Sequence, residues 1–371
     1  MPFKDTFNQL KGQLKDLQQG GQKMLSEYQS KHQSQSQSQS QPGYPGASQP
    51  QYQNQSQPQY QSQSQYQNQP PPIPHGTHPG ADPGADPGSG SGSGASPTIY
   101  WQPSFSPSTP VSASWEHKLG NNNGWGNNEI QQYTSEPSNS FHTHTHTDGD
   151  GQQQQKLILR AISQPSHPDP ARKYTSARLV SRQRLSRARG SLVATLSLPC
   201  SLGVWPAFWL LPYEPFTWPT DGEVDVAETW NGDGVNHSCL HWGFFTPQDT
   251  GKHRVVGTPV QGMQTGRPVR FEFGWWQQVD EHGRQGQGRM VWWIDGRPVM
   301  KAPIPQGTRP MADFVVLLNI AMGGNVCQGQ MPREGVYDMV VHEMKMLEEP
   351  ENGGWQKFEM DWARAREGDR I

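Results

Sequence analysis

Three acids lie close together in the run DGEVDVAETW (Asp221 to Trp230): Glu223, Asp225 and Glu228. A pair of carboxyl groups facing one groove can break an acetal. One protonates the departing oxygen while the other attacks the anomeric carbon or activates water. That chemistry requires the acids to share a face. Successive side chains of a β-strand alternate between its two sides, so Glu223 and Asp225 agree while Glu228 would point away. One extra residue bulged out between Asp225 and Glu228 restores the phase and turns all three carboxyls to one side. With the bulge absorbed, the glutamates stand four pleat positions apart, roughly 13 Å between Cα atoms at about 3.3 Å per residue. Side chains leaning inward on a curved sheet bring their carboxyls to ~5–7 Å, which brackets the ~5–5.5 Å separation of a double-displacement pair. Asp225 crowds both neighbours, and like charges so close raise the proton affinity of at least one carboxyl, as a general acid at neutral pH requires. Taken alone, alternating acids fit a solvated strand face equally well.

The flanks argue against a merely solvated face. VWPAFWLLPYEPFTWP, with Trp205, Trp209 and Trp218, precedes the acids, and NHSCLHWGFF, with His237, His241 and Trp242, follows them. Exposed indoles beside carboxylates suit carbohydrate, because the C–H faces of sugar rings stack on aromatic planes. Some of these tryptophans must be core.

Strands have to position this constellation. From about Pro97 to Glu349, short apolar or alternating runs are punctuated by Gly, Pro and Asn. KLILRAI, GSLVATLSLP, VRFEFGWW, RMVWWI, FVVLLNIAM and YDMVVHEMKML read as strands, and WWIDGRPV as a hairpin turning at Asp295-Gly296. Many short strands over residues 97–349 predict an all-β domain of two antiparallel sheets packed as a sandwich. In residues 350–371, Trp355, Phe358 and Trp362 recur at helical steps and predict a short helix, docked on the sandwich or loosely attached.

The rest of the 371-residue chain differs in kind: only 31% of it is hydrophobic. Residues 31–96, almost wholly Gln, Ser, Pro, Gly and Tyr, cannot bury enough apolar surface to offset chain ordering, and read as a disordered tether. In residues 1–30, Phe3, Phe7, Leu10, Leu14 and Leu17 mark one stripe of an amphipathic helix, suited to a membrane surface, a partner or solvent. The N-terminus lacks an apolar run followed by a small-residue cleavage site, so a cytoplasmic or unconventionally secreted location is expected. Cys200, Cys239 and Cys327 are widely spaced, without zinc-motif spacing, and are expected as buried free thiols. A net charge of −3 offers no field for gathering nucleic acid, and the basic run Ser181 to Gly190 reads as a solvated strand face or loop. HTHTHT, from His142 to Thr147, reads as a polar loop rather than a metal site.

At these residues the chain resembles glycoside hydrolase family 16, in its laminarinase-like, endo-β-1,3(4)-glucanase branch. The blocks that carry the resemblance are GWGNNEIQQYT (Gly124 to Thr134), YTSARL (Tyr174 to Leu179), WPAFWLLP (Trp205 to Pro212), WPTDGEVDVAE (Trp218 to Glu228), HWG (His241 to Gly243) and LLNIAMGGN (Leu317 to Asn325). The resemblance implies a concanavalin A-like jelly-roll sandwich with a concave cleft. It also implies retaining endo-hydrolysis of β-1,3- or mixed β-1,3(1,4)-glucan, with β-glucan polysaccharide as the partner; a monomer without a cofactor or site metal is expected. Carried over residue by residue, Glu223 matches the nucleophile, Asp225 the assisting carboxylate and Glu228 the acid/base. Trp209 and Trp218 match sugar-binding aromatics, His241 the histidine near the acid/base, and Asn127 a block lining the glycone end. Two departures stand out. Gly323 to Gly329 reads GGNVCQG where relatives commonly have GGNWPG, and His342 replaces an aspartate that helps hold a structural calcium. A β-glucan-binding module without turnover, a transglycosylase on cell-wall glucan, and an assembly protein with a vestigial sandwich remain as other classes.

Overall fold

The computed structural model describes residues 97–143, 146–147, 153–244, 249, 252–280 and 285–370. The amphipathic segment 1–30 and the tether 31–96 lie outside the described residues. Strands form close to where alternation places them. KLILRAI becomes Leu157–Ser163, VRFEFGWW extends to Val269–Val279, and FVVLLNIAM is the strand Phe314–Met322 without displacement. The hairpin turns through Asp295 and Gly296 at φ of 48° and 74°. Both are left-handed, as a two-residue turn matched to strand twist requires.

Two sheets face each other. One runs in the spatial order Trp115–His117, Arg178–Arg184, Phe314–Met322, Val204–Pro212, Glu223–Glu228, Val235–His241, Arg254–Pro259 and Asp369–Arg370. The other is built around Arg297–Pro303, Gln285–Ile294, Val269–Val279, Arg189–Ser197, Gly335–Leu347 and Leu157–Ser163. Pairing is antiparallel except at Gln132–Tyr133 and Arg366–Glu367. The fold is the expected all-β jelly-roll sandwich.

Side-chain phase explains where the core sits and why one sheet surface becomes a cleft. Val204, Phe208 and Leu210 on one strand and Val316, Leu318 and Ile320 on its neighbour enter the core between the sheets. The residues of opposite phase would ordinarily be polar. Here Leu211, Val315 and Leu317 are also buried, and Trp209 and Phe216 lean on them. This second apolar layer makes Phe314–Met322 buried on both faces and paves the concave surface.

The C-terminal segment is docked. Residues Gly354–Arg364 form a helix whose Phe358 packs on Val291 and Trp293, on the outer face of the second sheet. The Trp293 indole donates to buried Asp361 at 2.7 Å. Gly274 permits this: a Cβ there would lie 2.9 Å from the Trp293 ring. In the basic run Leu185 enters the core, while Arg184, Arg187 and Arg189 lie over Tyr213, Tyr100 and Trp355 at 4.0, 4.2 and 5.5 Å from the ring centroids.

All three cysteines are free thiols; Cys239 and Cys327 are buried as expected, whereas Cys200 is only half-buried. His342 lies 3.0 Å from the Ser197 hydroxyl, and burial pushes its pKa down to about 4. A neutral imidazole there does not suit a hard, oxygen-seeking cation such as calcium. His142 is tied to the carbonyl oxygens of Ser106 and Thr109, at 3.1 and 2.9 Å, while His144 lies outside the described residues.

Candidate active site

The register between Val204–Pro212 and Glu223–Glu228 resolves the phase of the three acids. Leu210 faces Val224 and Trp209 faces Asp225, but Phe208 faces Ala227 and Ala207 faces Glu228, so Val226 is skipped. Asp225 and Glu228 therefore oppose residues two apart on one strand, and point to the same side. The consecutive apolar residues Val226 and Ala227 both enter the core. On the other flank the ladder pairs Glu223 with His241, Val224 with Leu240 and Asp225 with Cys239, and then stops.

A bulge frees carbonyls that must find partners inside the protein. The Val226 carbonyl accepts from Asn236 Nδ2 and Ser238 Oγ, each at 3.4 Å. The Asp225 carbonyl accepts from Trp292 Nε1 at 3.0 Å, a donor reaching across the core from the opposite sheet. Trp292→Phe keeps most of the buried ring and leaves that carbonyl unpaired, at a cost of ~1–3 kcal/mol. The expected result is a lower urea midpoint with an unchanged slope, and kcat falling more than KM rises. A variant with wild-type kcat would separate Trp292 from the bulge.

Each carboxyl has its own surroundings. Glu228, buried, accepts from Trp205 Nε1 on one oxygen and Trp230 Nε1 on the other, both at 3.0 Å. Trp230 is itself stacked on His237 at 3.7 Å, and His237 is held by Asp233 at 2.7 Å. Glu223 is half-buried and accepts from the indole of Trp218, which is exposed. Asp225, 1% exposed, lies 3.3 Å from His241 Nε2, and His241 Nδ1 lies 2.7 Å from His253 Nδ1.

These surroundings set the charges. Burial first and the Asp225 charge second push the Glu223 pKa up to about 8, against the pull of His241 and the Trp218 indole. The same two causes, with Glu223 added, hold Glu228 well above an ordinary carboxyl, although two indoles favour its ionised form. Burial draws His241 down, but the Asp225 carboxylate and then Glu223 outweigh it and the net direction is up. His253 is pushed down to about 4, by burial and then by His241.

The walls are aromatic and cross-braced. Arg178 is sandwiched between Trp125 and Trp209, at 4.4 and 4.7 Å from their ring centroids. Trp209 Nε1 donates to Asn319 at 2.7 Å, fixing the indole on the paved floor. The GWGNNEIQQYT block closes one end as a loop: Gln131 donates to Glu129 at 2.6 Å and accepts from the Met322 backbone at 2.7 Å. The resulting cleft has a volume of about 730 Å³ and is lined by Glu223, Glu228, Trp209, Trp218 and Asn127 among others. Of the residues singled out by sequence, Asp225 sits beneath the surface and His241 beside it on the next strand.

Five contributors escaped sequence reasoning. Trp205 and Trp230 flank the acid run and carried a signal as tryptophans, but their role as paired donors depends on the bulge. Arg178 and Asn319 lie in the YTSARL and LLNIAMGGN blocks without anything to mark them. His253 had no signal at all.

An acid pair on one face of a concave sheet, clamped by indole donors and lying in an aromatic groove, defines a glycoside hydrolase of the jelly-roll type. Residues 122–265 match the family described as XgeA-like, catalytic GH16 domain. A β-glucanase of Rhodothermus marinus is 29% identical over 242 residues, covering 61% of this chain and 76% of that protein. A glucan endo-1,3-β-glucosidase A1 of Niallia circulans is 25% identical over 262 residues, and the match spans only 36% of its length. Among solved structures, the laminarinase from Rhodothermus marinus superposes with a TM-score of 0.52 at 26% identity, covering 67% of this chain and 96% of that one. Residues 122–265 of the chain thus match a catalytic domain of glycoside hydrolase family 16.

Proposed function

We propose that this chain is an endo-β-glucanase that hydrolyses β-1,3- or mixed β-1,3(1,4)-glucan with retention of anomeric configuration. The observation that carries this reading is the skipped Val226, which turns Glu223 and Glu228 toward the same groove. Glu223 attacks the anomeric carbon while Glu228 gives its proton to the departing glycosidic oxygen. Glu228 then takes a proton from water, whose oxygen displaces Glu223 and releases the sugar. The Trp218 indole holds one Glu223 oxygen and leaves the other to attack. Asp225 assists from below by raising the proton affinity of Glu228, the proton donor.

The electrostatics support the change of role. Part of what keeps Glu228 protonated is the charge on Glu223. Once Glu223 is esterified to the sugar that charge is gone, so Glu228 releases protons more readily and becomes a base. Trp209 and Trp218 offer stacking faces for sugar rings, Asn127 a hydrogen-bonding group toward one end of the groove, and His241 a partner for Asp225.

Laminarin, lichenan and cellulose, incubated with the full chain and followed by product sizing and anomer-resolved NMR, test the reading. Laminarin and lichenan are expected to yield oligosaccharides whose new reducing ends appear first as the β-anomer, with cellulose untouched. First appearance of the α-anomer would overturn retention, and cleavage of cellulose in preference to laminarin would overturn the substrate.

A further inference from the structure

The cleft floor contains a group of side chains that hydrolysis does not require. Because Glu223 pairs with His241 and Asp225 with Cys239, the side chains of Cys239 and His241 share the face of the acids. The Cys239 sulfur, a His241 ring nitrogen and an Asp225 oxygen all lie within 4.8 Å of one another. Asp225 and Cys239 are each 1% exposed, and neither carboxylate oxygen of Asp225 accepts a hydrogen bond. His241 Nε2 approaches one of these oxygens at 3.3 Å as an ion pair. A buried carboxylate facing a thiol and an imidazole is a donor set that suits a metal ion.

We propose that Asp225, Cys239 and His241 form an inhibitory site for a thiophilic divalent cation of the zinc class. Sulfur, imidazole nitrogen and carboxylate oxygen are the donors such ions take, at about 2.0–2.3 Å, so neighbouring donors around the ion stand roughly 3.3–3.7 Å apart. Closing from 4.8 Å asks each side chain to move by a fraction of an ångström to about one. The charges balance: Cys239 gives up its thiol proton and His241 any proton on Nε2, both to solvent, and thiolate plus carboxylate neutralise the dication in a place where net charge is costly. His241 coordinates through Nε2 while its Nδ1–H donates to His253 Nδ1 at 2.7 Å, the outer hydrogen bond that orients a metal-bound imidazole. The fourth position opens toward Glu223, directly across the ladder from His241, or is filled by water. Thiolate ligation selects against calcium and magnesium.

Inhibition follows from position. The ion's open position faces Glu223 across the ladder, so the attacking carboxylate is drawn onto the ion and away from the anomeric carbon. This half of the inference rests on the glucanase reading; binding of the ion does not.

Cadmium and zinc, added to the full chain, test both halves. One equivalent of Cd²⁺ is expected to produce an ultraviolet thiolate-to-cadmium band, and Zn²⁺ to inhibit laminarin hydrolysis reversibly on chelation. Cys239→Ser is expected to keep basal turnover, lose the band, and require at least about 10-fold more Zn²⁺ for half-inhibition, in line with loss of one metal ligand. The double variant Cys200→Ser/Cys327→Ser is expected to keep both responses. The imidazoles of His142 to Thr147 give no thiolate band, so they cannot mimic the result. A band that survives in Cys239→Ser, or equal zinc sensitivity in that variant, would overturn the site. Should Cys239→Ser fail to fold, Cys239→Ala is read in the same way. A band without inhibition overturns the inhibitory role alone, and a band in a chain that cleaves no glucan sinks the glucanase reading and leaves the metal site standing.

Discussion

Glu223→Ala lowers turnover of laminarin by roughly 10⁴-fold, and added azide restores part of it as an α-glycosyl azide, because removing the attacking group opens that face to a small anion. Glu228→Ala behaves differently. With an activated aryl glycoside the first step still proceeds without an acid, and azide then displaces Glu223 to give the β-glycosyl azide. Product configuration, read by NMR, thus distinguishes the two glutamates, which rates alone do not. The same azide anomer from both variants, or full activity in either, would show that the assignment of roles is wrong.

The isosteric change Glu223→Gln has a second consequence, in stability. The folded-state pKa of Glu223 is raised from 4.5 to about 8, so its protonated form is favoured by folding. The contribution is complete below pH 4.5 and is lost as pH rises through about 8, where ionisation opposes folding. Glutamine never ionises. The variant's melting temperature should therefore match that of the wild type at pH 4.5 and exceed it by several degrees above pH 8. A site that folds at a cost to stability in order to hold two charged acids together is consistent with selection for chemistry.

Asp225→Asn is the second large effect. The substitution preserves shape and removes one negative charge that raises both Glu223 and Glu228. Loss of that charge favours ionisation of both glutamates. The acid limb of kcat/KM, set by ionisation of Glu223, and the alkaline limb, set by deprotonation of Glu228, should both move to lower pH. At neutral pH the variant holds the proton on Glu228 less tightly and is expected to run ~10²-fold slower. His241 loses the carboxylate that holds it up, which weakens the pull of its charge on Glu223 and shortens the acid-limb shift relative to the alkaline one. A profile that drops in height without moving along the pH axis would mean that Asp225 acts through packing instead.

Much of the site was legible in the order of residues. The acids of DGEVDVAETW cannot share a strand face unless one residue is skipped, and the apolar pair Val226-Ala227 between Asp225 and Glu228 says where. Alternation likewise located Phe314–Met322 and the Asp295-Gly296 turn, since both depend on neighbours a few positions away. Apolar residues at both phases of Phe314–Met322 were visible too, but not that one phase would line a cleft.

What the chain order could not contain is which distant residues the register brings face to face. Trp292 stands 67 positions from the Asp225 carbonyl it holds, Asn319 is 110 from Trp209, and His253 reaches His241 only because their strands fold together. The pairing of Cys239 with Asp225 is of the same kind: neither carries metal-motif spacing, and both take meaning from a ladder that ends at that rung. Sequence by itself determined the acids, the need for a bulge and the two-sheet class, because local periodicity dictates which side of a strand each residue takes. The tertiary structure alone decided the donors, the proton affinities and the neighbours of those acids. Those depend on burial and on distances of a few ångströms between segments that approach only when the sheets pack.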